Sequence, residues 1–464
     1  MTTRMTDPET RPAAAPPPDD GLVVRLKAGR MPLAEALRGR DLSGLLGGRD
    51  AVAPPEGASP PWWDADSRGL ALSGVDLSGG RLAGAQLRGA NLRGADLSDV
   101  VGRSADLGEA VLEQVRFVGA DMGGTSFAGA SAGEADFTDA MLEDARFAGA
   151  HLRYATLVDA LLDSADFSGA DLWGVRAAGA EADDASFKGA RCDEADFAGA
   201  NLAGVDLTGA SLKKARFGGA KLRGAKFDGA TMDGAHFDGA DLSNASLPRL
   251  NLQTCSLKHA RLAGAWLDNT RLRPEQLGGA VGEEVAKEFH AARDAYVVLE
   301  QNFRSLGNGD GASWAFRKGR LMGKLHERET ALHGWAQRDW RKAARHGANW
   351  LSDAFVEWLC DYGESLWRVM RAFGTLIVLF AALYGITESL DRVTQGPAGE
   401  IKRVTENPFD LLVYSFLNML STSAPDIGLR PASPVIYLVT SLQGAVGIVL
   451  IGLFGYVLGN RMHR

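Results

Sequence analysis

From Leu72 to Leu277 the apolar positions recur every five residues. Leu, Phe or Met stands at 72, 77, 82, 87 and onward almost without exception, and the residue two places earlier is nearly always Ala or Val. The phase runs through 42 repeats with no insertion, and at Gly102, Ala132, Ala177 and Ala182 a smaller residue keeps it. Beyond Ala280 the period becomes helical. Val285, Phe289, Ala292, Tyr296, Leu299 and Phe303 lie three or four apart on one predicted helix face, Gly307–Gly311 reads as a turn, and Trp314–Arg345 as a second helix. Two uncharged runs follow, Ala372–Thr387 (16 residues) and Pro431–Asn460 (30 residues). With their amphipathic flanks they meet the roughly 20 residues a bilayer demands, which predicts spans at about 368–388 and 433–460.

Phe409–Gly428, between those spans, is too polar to cross a membrane and too apolar for an ordinary loop, as a re-entrant segment buried in protein would be. Asn407 offers a cap oxygen, and Pro408 loses nothing at a first helical position, so a helix over about 408–421 is predicted. Ser421–Pro425 cannot continue it. Ser421, Thr422, Ser423, Ala424, Pro425 and Asp426 are the candidate ion pathway.

The A-(D/N)-L-x-x repeat resembles the pentapeptide-repeat family, which implies a right-handed quadrilateral β-helix with four repeats to a coil. Leu/Phe and Ala then both point into the shaft and the other three positions face water. About ten coils at roughly 4.8 Å each would make a rod on the order of 50 Å long, with ends that need caps. Residues 281–345 resemble the helical pair that joins such domains to channel-like hairpins.

Trp358–Arg464 resembles the two-transmembrane pore domain of the potassium-channel superfamily. The resemblance rests on the approach CDYGESLWRVMR (Cys360–Arg371), on Asp426-Ile427 after the filter position and on Leu442-Gln443-Gly444 in the inner helix. It implies an all-α pore domain with a re-entrant pore helix, and a homotetramer, because one hairpin cannot enclose an aqueous path. The filter departs: Ser421–Pro425 has no glycine where the family has Thr-Val-Gly-Tyr-Gly, and carbonyls aimed at an axis need backbone angles that Ser and Ala resist and Pro forbids. Potassium selectivity is therefore not expected. Asp426, in a ring of four, would attract cations, and Arg430 would blunt that field, so the sign of the ion stays open. Gly444, Gly447, Gly452, Gly455 and Gly459 are more than a spanning helix needs, and they read either as close packing against another helix, with Gly455 and Gly459 a small-x-x-x-small pair, or as a hinge of the pore-lining helix at Gly444 or Gly447. Gln443 would face a neighbour or the cavity.

The domain reading is a disordered tail (1–20), a cap and linker (21–68), the β-helix (69–280), a helical hairpin or coupler (281–348) and the pore domain (349–464). Leu33 and Leu37 carry a short helical pattern, and Trp62 and Trp63 would plug the open end of the repeat. A net charge of −8 argues neither for nor against a nucleic-acid partner, and none is expected. Three cysteines imply no disulfide framework; Cys192 and Cys255 fall at inward repeat positions and Cys360 beside the membrane. The N-terminus has no signal-peptide core. Between Arg317 and Arg345 stand 9 Lys/Arg and 3 Asp/Glu, a basic run that marks the cytoplasmic side and can lean on anionic lipid. A multi-pass protein of a bacterial plasma membrane is expected, with both termini on the cytoplasmic side. No histidine has metal-ligand company, HERE (His326–Glu329) lacks a second His, and no phosphate loop, nucleophile elbow or Cys-His constellation occurs, so neither enzyme, metal nor cofactor is expected.

Residues 105–210 carry 20 Asp/Glu and 6 Lys/Arg, followed by Lys213, Lys214, Arg216, Lys221, Arg223 and Lys226. Some pentapeptide proteins are acidic DNA mimics that occupy gyrase, which makes such a mimic one alternative. A membrane-anchored scaffold that does not conduct is another. The leading expectation is a membrane pore for monovalent ions, with a rod that senses or docks an unidentified cytoplasmic ligand.

Overall fold

In a computed structural model of the chain the described residues are 42, 63–64, 69–396, 399–405, 407–420 and 428–462. They form two compact units that divide between Ala315 and Phe316.

The first unit is a solenoid. Parallel bridges join residues twenty apart, from Ala71↔Asn91 to Asn251↔Arg271, so four five-residue sides complete one coil. Each central residue donates its N–H to a carbonyl of the next coil, as Leu92 does to Val111 at 2.8 Å. Almost every side ends in a turn whose last residue takes positive φ, Thr254 being an exception. Glycine fills most of these corners, but Asp99, Tyr154 and other L-residues also adopt φ near +55 to +59°, at a strain of roughly 1–2 kcal/mol each. The aspartates one place before the central residue offset part of it. Asp76, Asp96, Asp136, Asp166, Asp196 and Asp206 each accept a hydrogen bond from the backbone N–H two residues on, an Asx turn that holds the corner.

Both inward positions are buried along the shaft. Phe127, Phe147, Phe167 and Phe187 stack at 4.6–4.8 Å on one side, and Phe117 stacks on Phe137 at 4.8 Å. The two columns meet edge to face at 5.8 Å.

A solenoid exposes open backbone at its ends, which must be covered. At the start, the N–H of buried Leu42 donates to Arg81 O at 2.7 Å, the bond that position 62 would make in the coil register. Strand β1 (Trp63–Asp64) pairs antiparallel with β2 (Gly69–Leu70). The other calls on the amino-terminal region, Leu33, Leu37 and Trp62 among them, lie outside the described residues. At the far end side chains take over. Gln276 donates to Leu252 O and Cys255 O, both at 2.6 Å, and Glu283 accepts from Leu262 N–H and Ala263 N–H at 2.8 and 2.7 Å. Burial raises the Glu283 pKa above the usual carboxyl range.

Helices α1 (Gly282–Val285) and α2 (Phe289–Ser305) follow. Asn302 on α2 bonds both backbone groups of Thr270, at 3.0 and 2.8 Å. The expected helix face is interrupted: Lys287 has φ +61°, so Val285 belongs to a separate turn and is 57% exposed, whereas Ala292, Tyr296, Leu299 and Phe303 are buried.

Helix α3 (Gly309–Ala336) begins in the first unit and α4 (Trp340–Cys360) lies in the second. The single helix expected over Trp314–Arg345 is therefore two. The chain turns at Arg338, φ +59°, and Asp339 caps α4 by accepting from Lys342 N–H at 3.0 Å. After a 3-10 turn (Asp361–Gly363) come α5 (Leu366–Ile386), β3 (Leu390–Gly396), β4 (Gly399–Val404), α6 (Pro408–Leu420), β5 (Leu429–Pro431) and α7 (Pro434–Met462). The stretch Glu388–Glu406, which mixes charges of both signs without a ligand-site pattern and reads from sequence as an outer loop, holds the β3–β4 hairpin of a three-stranded antiparallel sheet ordered β4-β3-β5. Both α5 and α7 are long and apolar enough to cross a membrane, with mean hydropathies of 1.9 and 2.0.

Candidate functional site

The polar groups of the second unit converge where α5, α6 and α7 meet. Asn407 Oδ1 accepts from Phe409 N–H at 3.1 Å and Pro408 opens α6. The first turn of α6 carries Asp410, which suits the positive end of a helix and pairs with Arg392 of β3 at 2.9 Å. Further along, Tyr414, Ser415, Asn418 and Met419 turn inward and are buried.

Gln443 of α7, fully buried, binds the three helices together. Its Oε1 accepts from Tyr384 Oη of α5 at 2.7 Å and from Asn418 Nδ2 at 3.0 Å. Its Nε2 donates to Ser415 Oγ at 2.7 Å and Ser415 O at 3.1 Å. Ser415 Oγ in turn donates to Ile377 O at 2.8 Å, and Asn418 Nδ2 to Thr440 O at 2.8 Å. Every polar atom of the Gln443 carboxamide thus has a partner, the condition under which a buried polar network holds one arrangement. Tyr384 and Tyr414 meet edge to face at 5.8 Å beside it, within an apolar cluster that includes Ala381, Leu390, Leu411 and Leu429. Gln443 was expected to face a neighbour or a cavity; it faces α6 and α5 of its own chain.

The predicted site residues divide around this clamp. Ser421, Thr422, Ser423, Ala424, Pro425 and Asp426 lie outside the described residues, but the elements that bracket them are described. Before them α6 ends at Leu420; after them Gly428 O accepts from Val393 N–H of β3 at 2.8 Å. Arg430 is exposed on β5, in register with Asp391 of β3. Gly444 and Gly447 are buried on α7. A Cβ at Gly447 would stand 2.8 Å from the carbonyl carbon of Met419 and 3.0 Å from its Cα, so α6 approaches there as only glycine allows. At Gly452, Gly455 and Gly459 a Cβ would meet nothing within 4 Å. Gly447→Ala is therefore expected to destabilise the second unit by about 1–3 kcal/mol through overpacking. Gly452→Ala should be neutral or stabilise it by up to about 1 kcal/mol through helix propensity. Thermal unfolding of the two variants in detergent distinguishes them, and equal melting points would discount the α6–α7 approach.

The helical hairpin is bonded to the head of α5. Arg320 pairs with Asp353 at 2.6 Å and Lys324 with Glu357. Arg368 of α5 donates to Glu357 O at 2.9 Å and lies 3.3 Å from Asp361. The Arg320 guanidinium sits 4.6 Å over the Tyr362 ring, and burial, with Asp353 and Glu357 nearby, pushes the Tyr362 hydroxyl up to about 12.

On the solenoid, three of the six basic residues at 213–226 face acids of an adjoining coil: Lys214–Glu194 at 3.1 Å, Arg216–Asp196 at 3.7 Å and Arg223–Asp241 at 2.5 Å. That arrangement suits a solvated, self-paired face. Cys192, Cys255 and Cys360 are buried free thiols, and burial raises their pKa, to about 11 for Cys255. Among the described residues no group of three His, Cys, Asp or Glu could hold a metal.

Twenty-residue bridging, a five-residue phase and paired inward positions define a four-sided β-solenoid. Residues 71–101, 105–144, 133–169, 165–202, 190–229, 200–239 and 235–273 match the pentapeptide repeats family; the chain is a pentapeptide-repeat protein over this stretch. Among solved structures it is similar to HetL, a pentapeptide repeat protein involved in heterocyst differentiation regulation from the cyanobacterium Nostoc sp. strain PCC 7120. The identity is 31%, over 41% of this chain and 86% of that one, with a TM-score of 0.40. It is also similar to a trypsin-treated variant of QnrB1, a plasmid-mediated fluoroquinolone resistance protein, at 21% identity over 40% and 94% of the two chains and a TM-score of 0.30. No curated protein matches the chain.

Proposed function

We propose that this protein is a membrane ion channel whose pore is built by α5, α6, residues 421–427 and α7, with the pentapeptide-repeat solenoid as its cytoplasmic sensing or docking domain. The observation that carries the reading is the clamp. A short apolar helix too brief to span a bilayer is pinned by a saturated carboxamide network between two helices that are long enough, as re-entrant structure at membrane depth requires. Only 22% and 28% of the apolar windows of α5 and α7 are buried, which a soluble protein's core helices would not tolerate. Phe409, Leu412, Phe416 and Leu420 give α6 an exposed apolar stripe as well, suited to the contact with further subunits that a homotetramer would supply. Asp426 is the proposed cation-attracting group and Arg430 its modulator, and the ionic contacts that run from α3 to α4 and from the end of α4 to Arg368 at the head of α5 are the proposed coupler.

Current recordings on purified protein in planar bilayers, under a tenfold gradient of potassium chloride and then sodium chloride, test the proposal. The expected result is a conductance whose reversal potential follows the cation, with the preference cut several-fold by Asp426→Asn. A reversal that follows chloride would shift the selecting role to Arg430. Silence from a folded, membrane-integrated protein would leave the non-conducting scaffold as the better account. Gyrase mimicry is weakened because seven of the 20 acids at 105–210 accept a hydrogen bond from the backbone N–H two residues on, which gives about a third of the acidity a role in the solenoid itself.

A further inference from the structure

The α3–α4 hairpin is amphipathic the wrong way round for a soluble protein. On α4 the polar side chains face α3: His346 Nδ1 lies 2.8 Å from Glu327, Asn349 donates to Glu327 at 3.1 Å, and Asp353 and Glu357 pair with Arg320 and Lys324. The opposite face, at the helical spacing 340, 344, 347, 351, 355, is apolar and turned outward, with Trp340, Leu351 and Phe355 each about 60% exposed. Between the tip of α3 and the start of α4 lies an apolar cavity of about 620 Å³, lined by Leu332, Trp335, Trp340, Ala344 and Trp350 and bordered by Arg328. Arg338, Arg341, Lys342 and Arg345 are all exposed around this tip.

We infer that α4 lies in the membrane interface, its apolar face in the acyl boundary and its basic tip on the headgroups of anionic phospholipid. Three observations fix that occupant in place of a second protein. Tryptophan and arginine together are the residues an interface selects, each with an apolar body and a polar end. A helix with an apolar stripe and flanking cations binds anionic bilayers through both terms at once. The stripe also leads through Trp358 directly into Trp367 and Met370, exposed apolar residues at the head of α5. The cavity has the size and lining to accept an acyl chain. The inference rests on the reading of α5 and α7 as spans.

The test uses the full chain in phosphatidylcholine nanodiscs with and without phosphatidylglycerol. An environment-sensitive fluorophore is placed at Leu351→Cys, or at Ser352→Cys on the neighbouring face; the native thiols are buried, and labelled wild type supplies the background. The label at 351 is expected to be quenched several-fold more by a nitroxide-bearing lipid than by aqueous iodide, and the label at 352 the reverse. Arg341→Gln with Lys342→Gln and Arg345→Gln should reduce lipid quenching at 351 only where phosphatidylglycerol is present. Equal iodide quenching at 351 and 352 overturns the inference. So does protection of 351 from both quenchers, which would mean that a second protein surface covers it. Extraction of the protein from vesicles by alkaline carbonate would remove the spans and this inference together, whereas retention with an iodide-accessible 351 removes this inference alone.

Discussion

Gln443→Leu is expected to cost the second unit about 2–3 kcal/mol, because it takes the acceptor from the buried donors of Tyr384 and Asn418 and the donor from Ser415 Oγ and Ser415 O, while adding little apolar contact. The bonds concerned are 2.7–3.1 Å long and join three helices. Tyr384→Phe removes one bond and should cost less, about 1 kcal/mol. A double-mutant cycle between the two, read from unfolding in detergent, should show coupling above about 0.5 kcal/mol, as expected for residues in one network. Additive effects would show that the network holds nothing that packing alone does not. Under the channel reading, Gln443→Leu should also abolish conductance, since α6 would lose its hold on the helices either side of it.

Phe147→Ala should be as damaging to the solenoid, at about 3–5 kcal/mol. Phe147 has no exposed surface, stacks on Phe127 at 4.6 Å and Phe167 at 4.7 Å, and meets Phe137 edge-on at 5.8 Å. A hole there interrupts a column of rings, and in an array held by nearest-neighbour contacts the loss is felt first in the adjoining coils. Hydrogen exchange should quicken most between about residues 127 and 167. Phe147→Leu, nearer in volume, should cost less than about 1.5 kcal/mol. Uniform quickening along the whole solenoid would mean that it unfolds as one block.

The solenoid was legible because its signal is redundant: each Leu or Phe and each Ala repeats the same instruction, and one exception such as Ala177 cannot break the phase. The Asn407-Pro408 start of α6 was legible for the opposite reason, since a cap and an N1 proline are local chemistry. Features that depend on distant partners were hidden. Leu42 joins the solenoid although thirty residues separate it from Leu72; the clue was Asp41-Leu42-Ser43-Gly44, which matches Asp76-Leu77-Ser78-Gly79. The break at Arg338 lay inside a favourable helical composition, and the alternation around Val393 and Ile401 was too short to stand out. Gln443 could be seen as a polar residue in an apolar helix, but its partners on α5 and α6 lie up to 59 positions away in sequence. The candidate pathway residues 421–426 remain a reading of composition and order.

The twenty-residue coil also sets a rule for how the gene can change length. Removing four repeats would delete one storey and leave every remaining stack and bridge in register. Removing one repeat would keep the inward pattern but rotate everything downstream by a quarter turn, so that Phe columns would meet different sides and the Asn302 and Glu283 caps would leave the shaft from another face. Removing a single residue would turn each buried ring outward. Lineages of this protein should therefore differ in steps of twenty residues, with the repeat count modulo four held constant as if it were a gear tooth.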